Sequence, residues 1–306
     1  MILNNMSMNL YKKFLSKRIR FAVLSFFRFI PDKQMLQFQY WMKHHRWLNL
    51  DNPQRYTEKI QWYKLYYRND KMPICVDKYR VREYIENKGL SGILVKLYGV
   101  YDNVNDISFD TLPPKFVLKT TNGSGTNIIC RDKTKISKQE IFERVGRFLK
   151  QSKASAGREW AYTLGTPRII IEELLEDPNT FDGCISDYKF LCFNGKPEYV
   201  VLDVDRFTNH KRNIYDARWN DLHISSDCPC ITDRIIEKPS NYNKMLEVAS
   251  KLCEDFPAVR VDLYNINGNI YFGELTFFPW SGYVQYNPDS FDFEMGDKFI
   301  LPKRNH

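Results

Sequence analysis

The 306-residue chain is 43% hydrophobic, 15% aromatic and 27% charged, enough apolar material for a large core, which excludes a disordered or collagen-like chain. Its formal charge is +8, and residues 1–50 carry all of that excess, with nine basic residues against Asp32 alone, leaving 36 of each sign for the rest. A basic excess confined to one end excludes a protein that coats nucleic acid along its whole surface, and no nucleic-acid partner is expected.

Residues 1–50 read as a basic amphipathic helical arm. Leu15, Ile19, Val23, Phe26 and Ile30 recur at helical spacing among Lys12, Lys13, Lys17, Arg18, Arg20 and Arg28. Such a stripe either lies on an anionic membrane surface, with residues 1–30 as the contact, or packs on the protein's own body; periodicity does not choose. The apolar run 21–30 contains Arg28 and falls short of the ~18–20 residues that span a bilayer. No small-residue cleavage pattern follows it, so the segment is expected to stay on the mature protein.

Residues 51–106 are expected to be a helical N-terminal region, rich in aromatics such as Trp62, Tyr63, Tyr66 and Tyr67. From Phe109 the pattern changes. Strands are expected at 115–119 and 127–130 around a glycine-containing turn, then a helix over 136–150 and a β-branched run over 168–175. Further strands are expected at 187–193, 198–204, 258–264 and 269–278, with a helix near 243–255. The sum is an α+β protein built mostly of antiparallel hairpins, in two units over 107–175 and 176–306.

Seven cysteines without framework spacing fit a reducing, cytoplasmic setting. Cys228 and Cys230 near His223 form half of a zinc pattern, but no second pair stands at ligand spacing.

Beside Ile170-Ile-Glu172-Glu173-Leu-Leu175, a strand that runs into acidic residues and a loop and reads equally as an ordinary strand end, three constellations carry chemistry. Lys119 ends a strand and leads through Gly123, Ser124 and Gly125 into the next, so backbone N–H groups and one ammonium can approach phosphate oxygens; a plain hairpin turn is the alternative. Asp187 and Lys189 alternate on one strand, followed by Arg206, Arg212 and Asn213, where a solvated basic loop over 210–212 explains the cations equally well. In the third, Arg260 and Asp262 share one face of a strand, with Glu274 and Thr276 on the polar face of its return. An odd-length loop centred on Gly268 sets Asp262 across from Glu274 and Arg260 across from Thr276; an even-length loop puts the acids on opposite faces. Facing carboxylates call for a cation between them, either a divalent ion or Arg260 itself as a structural ion pair. Asp203-Val-Asp205 is a D-x-D pair of the kind that holds a metal and a sugar nucleotide, which makes a glycosyltransferase the alternative enzyme.

In this order the pieces resemble the ATP-grasp superfamily and its TupA-like branch, associated with teichuronopeptide and other surface-polysaccharide biosynthesis. The resemblance runs from Tyr56-Thr-Glu-Lys-Ile-Gln-Trp through Asp77-Lys-Tyr, Phe116-Val-Leu-Lys119 and Asn122-Gly-Ser-Gly to Gly273-Glu-Leu-Thr-Phe-Phe-Pro279. It implies an ATP-grasp fold, two α+β subdomains gripping ATP, behind a helical, aromatic-rich front end. It also implies an ATP- and magnesium-dependent carboxylate–amine ligase acting through an acyl phosphate, with a uronic acid of a glycan or its precursor as carboxylate and an amino acid or other amine as partner. By this resemblance Arg82 and Lys119 grip the ATP phosphates, Glu172, Glu173, Leu174 and Leu175 form the hinge that reads adenine, and Asp187 holds the ribose. Lys189, Arg206, Arg212 and Asn213 line the phosphate and substrate side, Asp262 and Glu274 bind two magnesium ions, and Arg260 stabilises the acyl-transfer intermediate. Thr276 stands where many ATP-grasp ligases have asparagine, and residues 1–76 lack the usual α/β pre-domain.

Overall fold

The computed structural model describes residues 27–122, 125–149, 156–180, 183–206 and 208–306. Most of the arm's expected apolar stripe, and Gly123 and Ser124 of the glycine loop, lie outside these residues.

Two antiparallel sheets carry the fold, each with one apolar face sealed by a helix. The first has the order β1 (Leu97–Tyr101), β4 (Ile169–Glu172), β2 (Phe116–Thr120), β3 (Asn127–Cys130). Alternation along it sends Phe116, Leu118, Ile128, Cys130, Ile169 and Ile171 to one side, where Ile141 and Val145 of the helix Lys138–Leu149 close the core. Lys119, Ile170 and Glu172 take the opposite side.

The second sheet has the order β7 (Lys211–Asp216), β6 (Lys196–Val204), β5 (Asp187–Phe193), β8 (Ala258–Ile266), β9 (Asn269–Thr276). Phe190, Val200, Leu202, Val261, Leu263 and Leu275 are buried with Met245, Val248 and Leu252 of the helix Tyr242–Cys253. On the other face, Phe193 meets Tyr56 and Tyr199 meets Phe291, with ring centroids 5.5 and 5.1 Å apart. These rings belong to helices α2 (Tyr56–Tyr66) and α7 (Ser290–Lys298), so the aromatic front end shares the core of the second sheet. Asp292 ties the two helices, accepting from the Thr57 N–H at 2.9 Å and its hydroxyl at 2.7 Å.

Two strands differ from expectation. β1 lies within the span expected to be helical; its Leu-Tyr-Gly-Val-Tyr is an apolar and aromatic run that a strand accepts, interrupted by Gly99, and as an edge strand it is half-exposed throughout with no alternation of buried and exposed residues. β7 takes the place of the solvated loop over 210–212: Arg212 is buried because a buried carboxylate on β6 receives it. All seven cysteines are free thiols. Among the described residues no helix is long and apolar enough to cross a membrane.

Candidate functional site

The β8–β9 hairpin pairs Asp262 with Glu274 and Arg260 with Thr276, the register that an odd loop would produce. The loop is nonetheless even. Ile266 pairs with Asn269, and the two residues between, Asn267 and Gly268, both have positive φ, 50° and 82°, as a two-residue I′ turn requires. A bulge after Leu263–Phe272 absorbs the extra residue, Gly273, and returns both acids to one face. The backbone is close there: a Cβ on residue 273 would stand 3.0 Å from the Asp262 carbonyl oxygen.

Around this hairpin the polar end of the second sheet assembles four acids and four bases. The Lys189 ammonium donates to Asp187 and lies 3.3 Å from Asp262 Oδ2 and 3.7 Å from Asp203 Oδ2. Arg260 grips Asp262 through Nε at 2.6 Å and Nη2 at 2.7 Å, and the same Nη2 reaches Glu274 Oε1 at 2.6 Å. Thr276 Oγ1 donates to that oxygen at 3.1 Å. Arg212 holds Asp203 through Nε at 2.6 Å, and Arg206 Nη1 holds Asp187 Oδ2 at 2.6 Å. Asp187 Oδ1 is buried with no hydrogen-bond partner.

The electrostatics follow from this packing. Burial pushes the Asp262 carboxyl up, to about 6, against the pull of Arg260 and Lys189. Burial would also raise Asp203, but the Arg212 hydrogen bond and charge, with Lys189 beside it, hold that carboxyl down at about 2. For Glu274, Arg260 and Lys78 overcome burial and keep it below its usual range.

Across from the hairpin, on the open side of the first sheet, Glu172 receives Lys119 Nζ at 2.8 Å and Arg82 Nη1 at 3.3 Å. Glu173 is exposed, its N–H donating to the Lys96 carbonyl, and Leu174 and Leu175 run on half-buried beyond the strand end. Gly125, at the foot of the glycine loop, has φ +74° and open space where a Cβ would stand.

The structure therefore brings Asp187, Lys189, Arg206, Arg212, Arg260, Asp262, Glu274 and Thr276 together, and Lys119, Arg82 and Glu172 into a second cluster. It sets Asn213 apart. That residue pairs with Leu202, on the opposite face of the sheet, where its side chain donates to Asp221 at 2.6 Å and accepts from the Ile231 N–H at 2.8 Å. The D-x-D pair also separates: Asp203 is in the cluster, whereas Asp205 follows the strand end with φ 51° and binds Arg234 at 2.6 Å.

Two residues were given no role from sequence. Lys78 donates to the Thr120 carbonyl at 3.3 Å; burial lowers its pKa while Glu274 raises it and Lys119 lowers it further, so its charge acts between the two clusters. The Asp77 carboxylate that accepts from the Tyr79 and Arg80 N–H groups was the available signal, a helix-start residue beside it. Trp280 lies against both Arg212 and Arg260, with the guanidinium carbons 4.9 and 5.1 Å from its ring. It stands in a left-handed turn, Trp280 at φ 47°, Ser281 at 58° and Gly282 at 67°, a backbone that costs non-glycine residues about 1–3 kcal/mol each.

Helix α2 holds this turn. Gln61 Nε2 and the buried Lys64 ammonium both donate to the Ser281 carbonyl, at 3.0 and 2.9 Å. Burial lowers Lys64 from 10.5 to about 8. The unfolded chain thus keeps a proton that the folded one releases between these values, so this group's contribution to stability rises with pH from about 8 to 10.5. Lys64→Met is expected to remove that rise in urea-unfolding free energies measured at the two ends of the window; an unchanged slope would show that Lys64 is not its source.

Residues 58–300 match the family described as TupA-like ATPgrasp. No curated protein matches the chain. Among solved structures it is similar to an L-amino acid ligase from Bacillus licheniformis, with 14% identity over 83% of this chain and 57% of that one and a TM-score of 0.44. It is also similar to a D-alanine–D-alanine ligase from Bacillus anthracis complexed with ATP, with 15% identity over 67% of this chain and 54% of that one and a TM-score of 0.39. The chain spans little more than half the length of these two proteins. With the family match covering more than three quarters of its residues, the chain belongs to the TupA-like ATP-grasp family.

Proposed function

We propose that the protein is an ATP- and magnesium-dependent ligase that joins a carboxylate to an amine through an acyl phosphate, the carboxylate being a uronic acid of a surface polysaccharide or its precursor. The observation that carries the ATP site is the convergence of Asp262 Oδ2 and Glu274 Oε1 on a single nitrogen of Arg260, at 2.7 and 2.6 Å. Two hard oxygens within reach of one point, with the Thr276 hydroxyl beside them, suit magnesium as a donor set. Among the described residues no group of three or more His, Cys, Asp or Glu side chains forms a ready metal cluster, because Arg260 and Lys189 stand between the acids. Magnesium held by Asp262, Glu274 and Thr276 would neutralise charge on the transferring phosphoryl group.

The chain's own residues supply the rest. Lys119 and Arg82, paired with Glu172, are the cations that phosphate oxygens would recruit, and Lys78 adds a third beside them. In the first step a substrate carboxylate oxygen bonds to the γ-phosphorus and ADP leaves. In the second the amine nitrogen bonds to the acyl carbon, phosphate leaves and the amine gives up a proton. Arg260, which lies against Trp280, would stabilise the oxyanion between these bonds. Arg206, Arg212 and Lys189 are the further cations for substrate, Glu172 to Leu175 the segment for adenine, and Asp187, with one buried unpartnered oxygen, the acceptor for ribose. Peripheral attachment to the inner face of an anionic membrane through residues 1–30 is proposed on their charge, six basic residues and no acidic one.

The test is calorimetric titration with a non-hydrolysable ATP analogue, with and without magnesium, beside a UDP-sugar. Magnesium-dependent binding is expected in the native protein and is expected to vanish in Glu274→Gln and Asp262→Asn while both still unfold cooperatively. Undiminished binding in both variants would remove the metal assignment, and selective binding of the UDP-sugar would overturn the ligase reading.

A further inference from the structure

Helix α1 (Asp32–His44) has two apolar sides. Met35, Leu36, Gln39, Tyr40 and His44 turn inward, fixed by Tyr40 to Thr57 at 2.9 Å and by Tyr283, whose hydroxyl donates to Gln39 Oε1 at 2.8 Å. The other side, which on a helix facing water is ordinarily polar, presents Phe38 at 55% exposure and Trp41 at 41%, with Met42 beside them. Trp47, 74% exposed, stacks on Trp41 with centroids 6.4 Å apart and planes 28° apart. Just before the helix, Phe29 is 71% exposed. Of the eleven large hydrophobic residues exposed among the described residues, six fall within residues 27–47. The aromatic pair walls a groove of about 440 Å³ whose other side is Lys33, Gln34 and Gln37.

From this face we infer a docking surface for the headgroup region of an anionic lipid bilayer, made by Phe38, Trp41, Met42 and Trp47 with Lys33 at its edge. Two observations select this occupant. In sequence the patch follows directly on residues 1–28, which hold six basic and no acidic residues, and it adds Lys33 and Lys43, whereas residues 51–306 are balanced, so the complementary surface is negative. The exposed apolar side chains also continue beyond the groove, to Met42 on the same helix and Phe29 just before it, more than a narrow groove needs and suited to an interface where tryptophan rings settle at headgroup level. The surface extends the peripheral attachment proposed for residues 1–30 to a helix anchored on the catalytic body, so α1 would set the orientation of that body and the arm would add charge.

The experiment uses the full chain with vesicles of phosphatidylcholine alone and of phosphatidylcholine with phosphatidylglycerol, read by co-sedimentation and by quenching of tryptophan fluorescence with brominated lipid. Binding to the anionic vesicles with quenching is expected, and the double variant Trp41→Ser, Trp47→Ser is expected to lose about tenfold or more in partitioning, since interfacial affinity scales with buried apolar area. Its thermal unfolding and its magnesium-dependent ATP-analogue binding should match the native protein, which separates a docking defect from a folding one and from failure of the ligase reading. Unchanged partitioning of the variant would overturn the inference and leave the arm as the sole anchor; no vesicle binding by the native chain would overturn both. Quenching by soluble polygalacturonate without vesicle binding would make the face a glycan groove, and a dimer lost in the variant would make it an interface between copies.

Discussion

Lys189→Met is expected to cost about 3–5 kcal/mol of folding stability at neutral pH, the range for breaking a buried ionic cluster from one side. The ammonium serves Asp187, Asp203 and Asp262 together, all three carboxylates being buried, and methionine keeps the length of the side chain while removing its charge. Each acid retains one arginine, so the deficit is one positive charge among four negatives. The pH dependence has a definite sign. Asp262, pushed up to about 6 by burial against the pull of Arg260 and Lys189, takes up a proton on folding below that value, so its cost to stability is present at pH 7 and is relieved as pH falls through about 6. Without Lys189 both Asp262 and Asp203 lose a favourable charge, so the variant starts from a lower plateau near pH 7, gains more as Asp262 takes up its proton, and the two stability curves converge on acidification. Urea unfolding at pH 7 and at pH 4.5 measures this; a loss under 1 kcal/mol at pH 7, or one that grows in acid, would show that the cluster does not depend on Lys189.

Gly282→Ala is expected to lose about 2–4 kcal/mol, the sum of overpacking and left-handed strain. A Cβ at this position would stand 2.5 Å from Gln61 Nε2 and 2.7 and 2.9 Å from two carbons of Ile60, all on helix α2. The amide can swing away, but the β-branched Ile60 cannot. Gly89→Ala is the matched control, with φ +70° and nothing within 4 Å of the new carbon, so it carries the backbone cost alone, about 1 kcal/mol. Because Gly282 ends the turn that lays Trp280 on Arg212 and Arg260, the variant should also weaken magnesium-dependent ATP-analogue binding, which Gly89→Ala should leave intact. Equal losses in the two variants would mean that the turn accommodates the methyl group.

The second sheet was legible because one of its faces is apolar. Strand β5 occupies the residues expected, 187–193, and Asp262 faces Glu274, since the alternation of Val259, Val261 and Leu263 permits one assignment of faces. The route to that register was not legible. Sequence offers Asn267-Gly268 as an even turn, which alone would put the acids on opposite faces, and only the bulge at Gly273 reconciles the turn with the site. Asn213 was grouped with Arg212 by resemblance alone: the two are neighbours in β7, so alternation puts them on opposite faces once that segment is a strand rather than a solvated loop. Trp280 was hidden because its role depends on three successive residues with positive φ, only one of them glycine, held by side chains more than two hundred residues away in sequence.

The pairing of four acids with four bases makes the polar end of the second sheet resemble an ion exchanger in its neutral form. Every fixed charge there already has a counter-ion drawn from the chain, so an entering ion gains only by swapping partners, and a lone ion leaves its displaced partner stranded in a dry environment. A bare polyanion would take the arginines and abandon Asp203 and Asp262; a bare divalent cation would take the carboxylates and abandon Arg260. A polyanion that arrives with its divalent counter-ion exchanges both kinds of pair at once and leaves the smallest buried imbalance, so the resting ion pairs themselves act as a filter for matched charge.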